Sequence, residues 1–205
     1  MIDLEEACEN DVVLAFLRAE IDAPRYQKGH LRFLQSIARS RTSLIDQGDL
    51  GNEFDNHVRA ICLALTRGYG LNTGLFRGYP NDIVWRRFEV ELSELSQFLY
   101  ANYHALSEIG GPGRLVSEGA KKVVAGLQVL SAEAREFVDG VPIVAERVKA
   151  AQQFPELVAV RDAHSQNIVL MEGHTRATAF VIAQKPSSVR VLLGSSARMH
   201  EWWLI

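Results

Sequence analysis

Two short apolar runs near the end of the chain, Leu157-Val158-Ala159-Val160 and Ile168-Val169-Leu170-Met171, are separated by the turn-forming stretch from Asp162 to Asn167. Their β-branched residues and intervening turn are the signal of a hairpin. Glu172-Gly173 follows at once, and then an Ala-rich segment from Thr175 to Gln184 with helical composition. Pro186-Ser187-Ser188 ends that helix, and Val189-Arg190-Val191-Leu192-Leu193 reads as one more strand. A chain with this order must lay a helix on a sheet, which rules out an all-helical bundle and an all-β sandwich. The reading predicts that Ile168–Met171 and Val189–Leu193 are neighbouring strands of one sheet, joined through the helix after Gly173.

The earlier part of the chain has helical grammar. Val12, Val13, Phe16 and Leu17 form one apolar face behind a candidate cap at Asp11, with Pro24 ending or bending that helix. Leu31, Phe33, Leu34 and Ile37 predict a second helix. Phe54, Val58, Ile61, Cys62 and Leu65 predict a third, before Gly68 and Gly70. The Gly- and aromatic-rich stretch from Gly68 to Pro80 reads as an ordered loop entering a strand around Ile83 to Val90. Helices are expected over Ser93–Ala105, Ser117–Leu130 and Ile143–Gln153, with Ser131 free to cap, and a short closing helix over Arg198–Leu204 with Trp202 or Trp203 packed inward. The fold class is therefore α+β: a mainly helical part over 1–110 packed on a small mixed sheet within 111–205, the two forming one integrated unit.

Composition excludes several classes. The chain has 205 residues, 47% hydrophobic and 23% charged, ordinary for a globular protein. No apolar run approaches the roughly 20 residues that span a bilayer. The start, Met1 to Glu6, is acidic where an export signal would be basic, and Cys8 and Cys62 have no metal-type spacing. These features lead us to expect a cytoplasmic protein with two free structural thiols. Net charge is −3, from 22 basic and 25 acidic side chains, and neither half carries the basic excess of a dedicated nucleic-acid binder.

The residues able to carry chemistry cluster at Glu172-Gly173-His174-Thr175-Arg176. Glycine lets the chain turn sharply after a strand, and the free N–H groups and dipole of the following helix favour an anion there. Arg176 can grip a phosphate with two parallel hydrogen bonds. His174 can donate a hydrogen bond or exchange a proton near neutral pH. Glu172 can act as a base, hold magnesium or pair with Arg176. On the residues alone, an anion site and a structural Glu172–Arg176 bridge both stand. They differ in consequence: a ligand phosphate compensating Arg176 would make Arg176→Ala harmless to the ligand-free fold, whereas a buried pair with Glu172 would make it costly.

The stretch Phe154 to Asp162, followed by Ile168 to Ala179 with the Glu172–Arg176 box, resembles the core of the ParB/sulfiredoxin-like superfamily over roughly residues 141–195. Members place a helix before a hairpin and open the next helix with a box that binds nucleotide phosphates. The box is nearest to the Asp-Gly-His-His-Arg type of the free-serine kinases, keeping the acid, glycine, first histidine and arginine but carrying Thr175 at the second histidine. It lacks the cysteine of sulfiredoxins and the flanking arginines of ParB-type CTPases. The resemblance implies that Gly173, Thr175 and Arg176 hold the phosphates of ATP or another nucleotide. Glu172 would then be base or magnesium ligand and His174 an acid–base partner. It points to a phosphotransferase or nucleotide hydrolase. The alternative is a non-catalytic protein that senses a nucleotide or holds a phosphorylated partner, with a ParB-like nuclease as third choice.

Weaker candidates lie elsewhere. Glu20 and Arg25 can reach a site or form a helix-end salt bridge, and His104 with Tyr103 and Asn102 can be catalytic or a satisfied polar cluster. Gly110 to Gly113 before Arg114 can form an anion nest or a plain loop. Arg86 and Arg87 read as a solvated strand face, and His164 as an exposed turn residue.

Overall fold

A computed structural model describes residues 1–126, 128–129 and 131–205. Strand β1, Ile2–Ala7, leads into helix α1, Glu9–Glu20. Asp11 is the third residue of α1 rather than its cap: its carboxylate accepts from the Cys8 N–H at 2.9 Å, so Cys8 sits at the cap of a capping box. Helix α2 spans Pro24–Ser36, so Pro24 opens a helix, where a missing N–H costs nothing, instead of merely ending the previous one. Helix α3, Glu53–Arg67, is capped by Asn52, whose side chain accepts from the Asp55 N–H at 3.0 Å, and stops at Gly68. Strand β2 follows at Val84–Glu91.

The helix expected over Ser93–Ala105 is not formed as such. A short α4, Leu92–Leu95, gives way to extended chain, and α5 begins only at His104 and runs to Gly110. The reason is long-range pairing. The Leu99 N–H donates to the Ile168 carbonyl at 2.8 Å, and the Leu99 carbonyl accepts from Leu170 at 2.9 Å, so the sheet takes groups a helix would need. Helix α6 covers Val116–Val124 and stops short of the expected Leu130: Ala125 and Gly126 form a turn, Gly126 with φ 75°, and Gln128 and Val129 are not helical, while Leu127 and Leu130 lie outside the described residues. Helix α7 is longer than the expected Ile143–Gln153 segment and starts earlier, at Ala132, running to Lys149 with Pro142 inside it. Ser131 caps it, its hydroxyl accepting from the Ala134 N–H at 3.2 Å.

The C-terminal part follows the expected order. Strands β3, Leu157–Asp162, and β4, Val169–Glu172, form the antiparallel hairpin. Helix α8, His174–Ala183, and strand β5, Ser188–Ser196, complete it. The strand order is β1-β2-β5-β3-β4. One expectation is corrected: β4 and β5 share the sheet but are not neighbours, because β3 lies between them and runs parallel to β5, Leu157 facing Val191. The α8 crossover thus steps over a strand. The closing segment forms only a single turn of tight helix at Met199–Glu201; Trp202 is 1% exposed and donates to the Leu75 carbonyl at 2.7 Å, while Trp203 stays 40% exposed.

The sheet takes β1 and β2 from before residue 110 and β3, β4 and β5 from after it. The main core joins Phe16, Leu17 and Leu63 of the helices to Leu157, Val160 and Leu192 of the sheet. A smaller apolar contact, Val141 and Ala145 against Ala179, seats α7 on α8. The fold is a mixed α+β architecture with a five-stranded mixed sheet. No helix among the described residues is long and apolar enough to cross a membrane. Both cysteines are free, Cys8 exposed and Cys62 buried.

Candidate functional site

The site is built at the carboxyl end of β4. Glu172 is its last residue, and Gly173 turns the chain with φ 94° into α8. A Cβ there would lie 2.4 Å from Cδ2 of Leu157, a core residue of β3, so only glycine fits. The first main-chain bond of the new helix is Ala177 N–H to the Gly173 carbonyl at 2.8 Å. The N–H groups of His174, Thr175 and Arg176 make no hydrogen bond among the described residues, and no side chain caps the helix. Thr178, one turn on, is buried; its hydroxyl donates to the His174 carbonyl at 2.8 Å and meets the Tyr100 hydroxyl at 2.6 Å, fixing α8 against the segment after α4.

Arg176 does not point its guanidinium into open space. Nη1 donates to the carbonyls of Pro155 and Glu156, and Nη2 lies 2.5 Å from Oε2 of Glu172. The two side chains are 11% and 16% exposed. Arg176 therefore ties the chain entering β3 to the end of β4, and Glu172 supplies the negative charge that a cation on the first turn of a helix requires. Glu156 is held from its other end as well, its carboxylate accepting from Arg87 Nε at 2.7 Å.

His174 is packed under the turn. Nε2 lies 3.1 Å from the Leu170 carbonyl and 3.4 Å from the Ala101 amide nitrogen. The Leu170 contact is a hydrogen bond when Nε2 carries the proton, and the Ala101 N–H donates to Nε2 when it does not. Burial pushes the imidazole down to about 4, against an opposing pull from Glu172, so the ring is neutral at pH 7 rather than poised to titrate there. Free in solution it titrates near 6.5. Between these values the unfolded chain binds more protons than the folded one. Stability is then full above pH 6.5 and falls as acid is added toward pH 4, by roughly 3 kcal/mol in all. Urea unfolding at pH 7 and pH 4.5 should show this loss in the wild type and a smaller one in His174→Gln; equal losses in the two proteins would contradict the assignment.

Around this turn opens a cleft of about 1060 Å³. One side is the Glu172–Arg176 box with Phe154 and Pro155; others are the ends of α1 and α2, the Tyr103–Leu106 segment and the inner face of α7. The cleft brings together Glu20, Arg25, Tyr103 and His104, which the sequence offered separately. It does not include the other candidates. Arg114 lines a smaller pocket of about 520 Å³ with Asn102, Ser107, Gly111 and Pro112, and donates to the Tyr100 and Ile205 carbonyls. Arg86 and Arg87 are paired with acids of β1, and His164 is exposed in the hairpin turn.

Tyr26 and Arg67 are among the cleft residues that the sequence did not mark out. Arg67 is the last residue of α3, where a basic side chain is ordinary compensation for the helix dipole, so nothing local marks it. Glu20, 3% exposed, faces Arg67 Nε at 3.3 Å and His30 Nε2 at 3.6 Å. Burial raises its carboxyl above the usual range, with Glu172 adding to the effect and His30 and Arg67 opposing it. His30 in turn meets the Cys62 sulfur at 3.3 Å, and burial together with Glu20 pushes that thiol up to about 12.

The cleft wall carries both acids, among them Glu20, Asp22 and Glu136, and arginines. The three N–H groups at the head of α8, without a partner among the described residues, are donors of the kind that hold anions. Among the described residues no group of three or more His, Cys, Asp or Glu is placed to hold a metal ion, and Glu172 has one oxygen engaged by Arg176. A magnesium ion would therefore need the ligand's own phosphates for most of its coordination, which is usual for that ion. No protein-family model, curated protein or solved structure matches the chain.

Proposed function

We propose that the cleft binds a nucleotide or a similar phosphorylated small molecule, with phosphate oxygens on the main-chain N–H groups of His174, Thr175 and Arg176, in the manner of the ParB/sulfiredoxin-like box. The observation that carries the reading is those three unpaired donors at the edge of a cleft large enough for a nucleotide. The order of hairpin, box and helix supports it, since the same order underlies the resemblance in the sequence. When bound, magnesium would neutralise phosphate charge, with Glu172 as the carboxylate in reach of the box.

Of the two reactions implied by the resemblance and the alternative of binding without turnover, one observation favours the latter. The groups offered for proton transfer are already engaged: Glu172 in an ion pair, and His174 neutral with Nε2 packed against the Leu170 carbonyl and the Ala101 amide. Thermal unfolding with ATP, CTP and GTP, with and without magnesium, tests the reading. A ligand at a hundred times its Kd stabilises the folded state by about 2.7 kcal/mol. A rise in Tm with at least one nucleotide is expected, with no phosphate released or transferred over hours; no shift with any of them would remove the nucleotide reading.

A further inference from the structure

Five arginines line the cleft, and four are engaged elsewhere or exposed. Arg18 donates to the carbonyls of Ile45 and Asp46. Arg25, half exposed, reaches Glu136 at 3.4 Å. Arg147, also exposed, donates to Gln152 and lies over the Phe154 ring. Arg176 is committed to two carbonyls and Glu172.

Arg67 is different. Its side chain is only 13% exposed, yet it lines the cleft. Nε sits 3.3 Å from Glu20 Oε1, Nη1 donates to the Tyr26 hydroxyl, and the guanidinium carbon lies 4.5 Å from the centre of the Tyr26 ring. Nη2 makes no hydrogen bond among the described residues. Glu20, more than nine-tenths buried in the same wall, turns Oε1 to Arg67 and Oε2 to His30 Nε2 at 3.6 Å, so it offers the cleft's ligand no donor of its own. The buried Arg67 atom without a hydrogen-bond partner is Nε, which has only the ion-pair contact with Glu20, so the fork's remaining donor, Nη2, is the one left to a molecule in the cleft. The fork is also near the turn: its charge contributes to the depression of His174, the first residue of α8.

We propose that Arg67, held by Glu20 and Tyr26, is the cation that meets the phosphate of the cleft's ligand. On this assignment the role expected of Arg176 is divided. Arg176 builds the turn, and an arginine from the N-terminal helices supplies the ligand-facing charge. The ligand class follows from the pair of donor sets: a phosphate or polyphosphate end, bridged between the α8 amides and the Arg67 fork. Glu20 balances Arg67 before the ligand arrives, which keeps a lone buried cation from destabilising the fold.

The inference rests on the reading of the cleft as an anion site, and its test separates the two. Inorganic tripolyphosphate and ATP are titrated calorimetrically into the wild type, Arg67→Met and Arg67→Lys. The wild type should bind both, Arg67→Met should weaken both by the same factor of at least about ten, and Arg67→Lys should fall between. Unchanged tripolyphosphate affinity in Arg67→Met would overturn the role of Arg67 while leaving the anion site standing. Wild-type binding of tripolyphosphate without ATP would end the nucleotide reading and still judge Arg67 by the same comparison. Binding of neither would overturn both. Should Arg67→Met not fold, Arg67→Lys decides, because it keeps the charge facing Glu20; affinity within about twofold of the wild type would then reject the proposal.

Discussion

Arg176→Ala is expected to cost the ligand-free protein about 3–5 kcal/mol of folding stability, the range for breaking a buried ion pair by removing one partner. The loss has two parts. Glu172, whose side chain is 16% exposed, is left with an uncompensated carboxylate, and the carbonyls of Pro155 and Glu156 lose their donor. Urea unfolding near pH 7 measures it directly. Adding Glu172→Gln to Arg176→Ala should restore part of the loss, because the stranded charge is then gone. A loss below about 1 kcal/mol in the single variant would return Arg176 to the ligand and make the pair with Glu172 incidental.

Gly173→Ala should be nearly as damaging, by about 2–4 kcal/mol, and should also weaken any ligand held by the α8 amides. Two costs add. An L residue in the left-handed region loses roughly 1–2 kcal/mol, and the new methyl would lie 2.4 Å from Leu157 Cδ2 and 3.0 Å from Arg176 Nη2. Leu157 is 1% exposed within β3, so its Cδ2 can yield only by repacking against the surrounding core. Gly70→Ala is the control: it has φ 70° but nothing within 4 Å of the added carbon, so it should show the backbone cost alone. Equal Tm losses in the two variants would mean that the close approach at Gly173 relaxes without consequence.

The strand–turn–helix around Gly173 was legible because every one of its signals is local. β-branched runs, a polar turn, a glycine and an Ala-rich segment each bias their own few residues, and all agree. The α3 helix was legible for the same reason, from the helical spacing of its apolar residues and from Gly68 after it, although its Asn52 cap was not read. Reading failed where pairing at a distance overrode local preference. Leu99 sits in a stretch that could continue a helix, yet its N–H and carbonyl are taken by Ile168 and Leu170, about seventy positions away. The β1 strand, almost entirely exposed, has no buried alternation to announce it and exists because β2 offers it a partner, with Arg86 and Arg87 facing its acids.

By itself the sequence determined the α+β class, the order of elements from β3 to β5, the sharp turn at Gly173 and the free state of Cys8 and Cys62. These depend on composition and near-neighbour stereochemistry. Only the tertiary structure decided that β3 stands between β4 and β5, that Arg176 is turned back onto Glu172 and the main chain, and that His174 is neutral. It alone also placed Glu20, Tyr26 and Arg67 beside a box more than a hundred residues later in the chain. A charged side chain can face a ligand, a partner or water with equal local propensity. Which of these it faces is set by the burial and neighbours that folding imposes, and those depend on the whole chain.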